Sequence, residues 1–133
     1  MTSDPFYKDL NPISFLDRSA HVYPDKPALS YGDITYTYQD FYNRVNKLAG
    51  ALQKGGIKKG DRVGFLVPNI PAMFEGHYGP LKIGAVLVAI NTRLSGREVS
   101  YILNHSGAKI LVFDSEYAEL INQIKNELPK ITR

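Results

Sequence analysis

The chain has 133 residues, 44% of them hydrophobic and 22% charged, and carries a formal net charge of +3. That length supports one globular core and falls short of two ordinary domains, and the balance excludes the low-hydrophobicity, high-charge composition of disordered chains. The absence of cysteine excludes a disulfide scaffold, a thiolate metal site and a cysteine nucleophile. It fits a reducing compartment, and the cytoplasm is the expected location.

Met1 to Lys8 shows no basic segment followed by an apolar core, so no secretory leader is expected there. Asn11-Pro12, followed by Phe15, Leu16, Ala20 and Val22, predicts a short helix entered through proline and ended before Pro24. Ala28–Tyr31 and Ile34–Tyr38 are β-prone runs separated by Gly32-Asp33, a two-residue turn in which glycine can take positive φ. A hairpin follows.

Thr37 is placed to cap a helix with Asp40 in its first turn, and Phe41, Val45, Leu48, Ala49 and Leu52 recur at helical spacing. Gly55-Gly56 ends it. Val63–Val67 is a short apolar run of the kind that fills a parallel sheet. Asn69 with Pro71 predicts one further helix carrying Met73, Phe74 and Leu81 and ending before Gly84.

Ile83–Ile90 is the longest apolar stretch, far below the roughly 20 residues that span a bilayer. It reads as a buried strand, and no transmembrane segment is expected. Ser95 and Glu98 form a capping box for a helix carrying Val99, Ile102 and Leu103, which Gly107 stops. Lys109–Phe113 is a last strand, and Asp114 or Ser115 caps a helix with Tyr117, Leu120, Ile121, Ile124 and Leu128 on its buried face.

The alternation requires parallel strands joined by right-handed crossovers. The expected class is α/β, a partial doubly wound parallel sheet flanked by helices and preceded by a β-hairpin.

Chemistry is harder to find. Gly55 and Gly60 have the spacing that opens a phosphate loop, but Asp61-Arg62 stands where lysine and a hydroxyl residue are needed, and a helix precedes where a strand should. The segment reads as a helix-to-strand turn. Lys58, Lys59 and Arg62 fit a solvated turn better than a nucleic-acid surface. His21, His77 and His105 share no metal spacing, and no serine sits in a Gly-x-Ser-x-Gly elbow; Ser95 and Ser115 read as helix caps. Asn104-His105-Ser106 matches a glycosylation sequon by chance alone. After Val67, Pro68 and Pro71 remove N–H donors that could have cradled a phosphate.

Four segments in order nevertheless resemble one family. Thr37-Tyr38-Gln39-Asp40-Phe41 with Asn46–Leu52 is similar to the Thr-Tyr-x-Glu-Leu segment of adenylate-forming enzymes. Gly60-Asp61-Arg62-Val63 with Pro68-Asn69 resembles the family's next strand and turn. Leu81–Val86 running into Ile90-Asn91-Thr92-Arg93-Leu94 resembles its second core motif in the form usual among acyl-CoA synthetases. Tyr101–Lys109 is similar to the helix-to-strand step that follows. Asp40 for the usual Glu and Ala89 for the frequent Pro are departures. The Asn91–Leu94 form and Phe15–Ala20 lean toward the fatty-acid members.

The resemblance implies a long-chain fatty acyl-CoA synthetase in which a fatty acid attacks ATP and the acyl-adenylate then passes to coenzyme A. It places ATP, Mg²⁺ and coenzyme A on later segments, so no catalytic, cofactor-binding or metal residue is carried over to residues 1–133. It implies one N-terminal subdomain, inactive alone, whose partner is the remainder of its own ligase. Separated from it, the chain is expected to form a homo-oligomer. Some long-chain members pair through this part, which makes Asp17 and Arg18 interface candidates. The alternatives are an α/β interaction module derived from the same fold, or part of a ligase for short, aromatic or amino acids.

Overall fold

The computed structural model describes residues 10–132. The leader-free reading of Met1–Lys8 and the last residue, Arg133, lie outside the described residues. Asn11 begins α1 (Pro12–Val22) by accepting the Ser14 N–H at 2.9 Å, with Pro12 in the first turn, where no N–H is needed. β1 (Pro27–Tyr31) and β2 (Ile34–Thr37) pair antiparallel around Gly32, whose φ of 57° lets the two-residue turn close.

Thr37 and Asp40 cap α2 (Tyr38–Lys54) reciprocally: the Thr37 hydroxyl accepts the Asp40 N–H, and the Asp40 carboxylate accepts the Thr37 N–H. The same device starts α5 (Gly96–Ser106) with Ser95 and Glu98. In both, hydrogen bonding to the capping residue lowers the carboxylate's pKa.

β3 (Arg62–Leu66), β4 (Val86–Ala89) and β5 (Ile110–Phe113) form a parallel sheet in the order β4-β3-β5. Side chains alternate across it. Val63, Phe65 and Val67 point to one face, covered by Leu52 of α2 and by Ala72 and Met73 of α3 (Pro71–Gly76). Leu66 points to the other, against Val99 and Leu103 of α5 and Ile124 of α6 (Ala118–Ile124). Helices therefore cover both faces, as a doubly wound sheet requires. A third cluster, Leu16, Phe41 and Val45, joins α1 and the hairpin to α2.

Four sequence expectations are corrected. The single helix from Asn69 to before Gly84 is two, α3 and α4 (Gly79–Lys82), and α3 starts at Ile70 without a side-chain cap. Pro80 breaks it, because its ring would strike the carbonyl of Gly76 four residues earlier and it offers no N–H. The stretch Ile83–Ile90 is not a uniformly buried strand: β4 has Val86 and Ala89 exposed, because it lies at a sheet edge with β3 on one side only. Arg62 does not belong to a solvated turn. Its Nε–H donates to the Ser106 carbonyl at 2.7 Å and another guanidinium N–H to that of Gly107, so it completes the C-terminal end of α5. Asp114, whose side chain accepts the Glu116 N–H, caps a short 3₁₀ turn over Ser115–Tyr117 and Ser115 lies inside that turn, so α6 itself starts at Tyr117 without a side-chain cap.

Candidate crevice at the strand ends

The chain leaves β3 through Val67-Pro68 toward α3 on one face of the sheet, and leaves β4 through Ile90-Asn91 toward α5 on the other. Neighbouring strands whose exits diverge leave a crevice beyond their carboxyl ends, the usual ligand position in an open α/β sheet. Here the crevice is an open cleft of about 540 Å³, walled by Val67, Pro68, Asn69 and Met73 on one side and Asn91, Thr92 and Arg93 on the other.

Local hydrogen bonds shape its far wall. The Ile90 N–H donates to the Phe65 carbonyl, fastening the end of β4, and the Asn91 side chain then accepts the Arg93 N–H at 2.9 Å. That turn leaves Arg93 exposed, and no described acidic side chain forms an ion pair with it. The wall offers amide and hydroxyl groups that can orient a polar ligand and one cation that can meet an anion.

The crevice does not fit Mg²⁺ with ATP by itself. No group of three His, Cys, Asp or Glu among the described residues could hold a metal ion. Pro68 and Pro71 have no N–H, and that of Ile70 is spent on the Pro68 carbonyl. We derive no chemical step from these residues.

The other sequence candidates lie elsewhere. Lys82 on α4 donates to Asp17 at 3.0 Å and sits 4.1 Å over the Tyr42 ring, so Asp17 ties α1 to the body of the fold. Arg18 is exposed and forms no ion pair with Asp17. His21, His77 and His105 are all exposed, and His105 stacks on Tyr101. Sequence reasoning missed Asn69, Asn91, Thr92 and Arg93 as neighbours, although all four stood inside quoted family segments, Asn69 in one and the other three in the next. No described helix is long and apolar enough to cross a membrane.

The chain is 40% identical over 120 residues to a peroxisomal butyrate–CoA ligase of Arabidopsis thaliana, and 38% identical over 123 residues to 4-hydroxybutyrate–CoA ligase 2 of Metallosphaera sedula. Those alignments take in 90% and 92% of this chain but 21% and 22% of the relatives, so the chain spans about a fifth of their length. The fold superposes on an anthranilate CoA ligase solved with anthranoyl-AMP, with a TM-score of 0.88, 32% identity, and coverage of 92% of this chain and 24% of that one. A family profile described as AMP-binding enzyme matches residues 16–133. With fold and sequence in agreement over nearly its whole length, the chain belongs to the AMP-binding enzyme family.

Proposed function

We propose that the complete protein is an ATP-dependent acyl-CoA ligase, and that residues 1–133 are one subdomain of it, forming part of the wall of its substrate cleft. The observation that carries this is the family match over residues 16–133, together with relatives named for CoA ligation. ATP, Mg²⁺ and coenzyme A serve the whole enzyme through segments beyond these residues, and the 133-residue chain alone is inactive. Every substrate of such a ligase is anionic, so Arg93 is placed to meet one of them.

The acid we propose is a fatty acid, on the form of Asn91–Leu94 and of Phe15–Ala20. The similar proteins are named for butyrate, 4-hydroxybutyrate and anthranilate, which supports carboxylic acids as the class and keeps short and aromatic acids as the competing reading. The test incubates the complete protein with ATP, Mg²⁺, coenzyme A and a panel running from butyrate to palmitate with benzoate included. Thioester formation with kcat/KM highest on a long aliphatic acid is expected. A higher value on butyrate overturns the long-chain assignment, a higher value on benzoate overturns the fatty-acid assignment, and no thioester with any acid overturns the ligase.

The cysteine-free composition supports the cytoplasm as the compartment, and the Arabidopsis relative, named as peroxisomal, makes cell fractionation the deciding measurement. The 133-residue chain alone forms a homo-oligomer, because among the described residues no strand pairs with the outer edge of β4 and its Val86 is exposed. Of the two N-terminal interface candidates, exposed Arg18 is the one free to reach a second subunit in the complete protein, since Asp17 is held by Lys82. A monodisperse monomer of the 133-residue chain in light scattering counts against the oligomer.

A further inference from the structure

The two walls of the crevice are supported differently. Hydrogen bonds at the end of β4 and within the turn after it fasten the Asn91–Arg93 wall. The opposite wall, Pro68 to Met73, is the turn after β3 and the first turn of α3. α3 has six residues and starts at Ile70 without a side-chain cap, so its place depends on what its neighbours hold.

Most of that hold is apolar. Gly76 is packed so closely on the sheet that an added Cβ would lie 2.7 Å from the Phe65 ring, and the Phe74 ring centroid lies 5.4 Å from that of Phe41 on α2. Apolar contacts are non-directional, and helices packed through them can slide past one another. The one ion pair that α3 makes among the described residues is directional: the Glu75 carboxylate accepts the Nε–H of Arg44, which stands on α2. The Glu75 side chain is 12% exposed, so leaving it without its cation is costly. Arg44 is itself held, with its guanidinium carbon 4.7 Å from the centroid of the Tyr36 ring on β2. Met73 stands two residues before Glu75 and lines the crevice, so a slide of α3 along α2 moves this wall relative to Arg93.

We infer that Arg44 is a positioning residue for the crevice: through Glu75 it sets how the Pro68–Met73 wall stands against the Asn91–Arg93 wall. The inference rests on the reading that the complete protein is a ligase whose substrate cleft includes this crevice. It also ties that cleft to the hairpin, because Tyr36 on β2 supports Arg44.

The test has one readout on the complete protein and one on the 133-residue chain. In the complete protein, KM is measured separately for ATP, the acid and coenzyme A in Arg44→Gln and Arg44→Lys. Arg44→Gln is expected to raise KM for at least one of the three about tenfold with kcat within about twofold, and Arg44→Lys, which keeps the charge, to recover most of that loss. Glu75→Gln breaks the same ion pair without leaving a buried charge, and it should raise the same KM by a smaller factor. Unchanged KM values in both glutamine variants overturn the inference, and so does a lower kcat alone, the mark of less folded enzyme.

The 133-residue chain has two methionines, Met1 and Met73, so methyl-labelled methionine gives Met73 its own NMR signal. That signal is expected to move in Arg44→Gln and in Glu75→Gln and to keep its place in Lys47→Gln, which removes an exposed charge from the same helix. A signal that stays in place in both glutamine variants of the ion pair overturns the inference, as does one that moves equally in Lys47→Gln. This readout does not involve thioester formation. A moved signal beside an inactive complete protein removes the ligase and keeps Arg44 as the residue that sets the wall, and an active ligase with an unmoved signal does the reverse.

Discussion

β3 and β4 are neighbours of similar composition and opposite fate. From Val63 to Leu66 every residue of β3 is buried, whereas Val86 and Ala89 at the two ends of β4 are exposed. Both runs are apolar, and they pair residue for residue from Arg62↔Val86 to Phe65↔Ala89. What separates them is position: β3 has a strand on each side and helices on both faces, and β4 has an open edge. Apolar content therefore establishes that a strand exists, and strand order decides how much of it is covered. The exposed parts of such a sheet are where more protein attaches, whether a later segment or a second copy.

The comparison breaks most visibly at Phe65, which is 1% exposed and packs its ring against Gly76 of α3. Removing the ring in Phe65→Ala leaves a cavity between sheet and helix that rigid neighbours cannot fill. A loss of about 3–5 kcal/mol is expected in urea unfolding of the 133-residue chain. A loss below about 1 kcal/mol would mean that β3 is not the packed centre of this sheet.

Gly64, on the opposite face of the same strand, tests the tightness of that packing from the other direction. A Cβ built there lies 2.7 Å from Leu103 Cδ2 and 3.2 Å from Leu111 Cδ1. In an open strand, alanine is better than glycine because the unfolded chain loses less freedom. Here the overpacking term of about 1–3 kcal/mol should dominate, so Gly64→Ala is expected to destabilise by roughly that amount. A gain in stability would show that α5 stands off the sheet.

Much of this arrangement was legible residue by residue. Asn11-Pro12, Gly32-Asp33, Thr37 with Asp40 and Ser95 with Glu98 each act on backbone groups within three residues, so the sequence alone locates those ends. The break between α3 and α4 was written in Pro80 but hidden under an apolar pattern that continues through Met73, Phe74 and Leu81. The exposure of β4 was not legible, because alternating helices and strands do not say whether β4 or β5 follows β3 across the sheet. The crevice was hidden for the same reason: Asn69 and Arg93 come together only when β4 lies beside β3 and its exit turns to the opposite face. The role of Arg62 depends on a carbonyl 44 residues away, which no local pattern reveals.

At the edge, the expected change in stability is small and the change in association is not. Val86 is 47% exposed on β4, so Val86→Lys should alter the unfolding free energy by less than about 0.5 kcal/mol. A charge on an open edge opposes strand-to-strand pairing. The variant should therefore shift the 133-residue chain toward monomer in light scattering, and unchanged association would move the contact away from β4.

The smallest effect is expected where β3 and β5 begin. Asp61 is buried just before β3. Its carboxylate accepts a hydrogen bond from Lys109 Nζ at 2.7 Å and from the Lys58 N–H at 2.9 Å, clamping the starts of the two strands. The hydrogen bond from Lys109, followed by that from Lys58, holds its pKa below the usual aspartate value. Because the folded pKa lies below the unfolded one, the stabilisation is fully present above the unfolded pKa and is lost as pH falls through the folded pKa. Asp61→Asn should flatten the acid limb of a stability–pH curve below about pH 4, where an ordinary aspartate titrates, and leave its shape near neutrality unchanged. Lys109 is half exposed and within reach of salt, so part of the attraction should be screened. Acid dependence that is identical in the variant would assign the loss to the capping carboxylates Asp40 and Glu98, whose pKa values are lowered in the same direction.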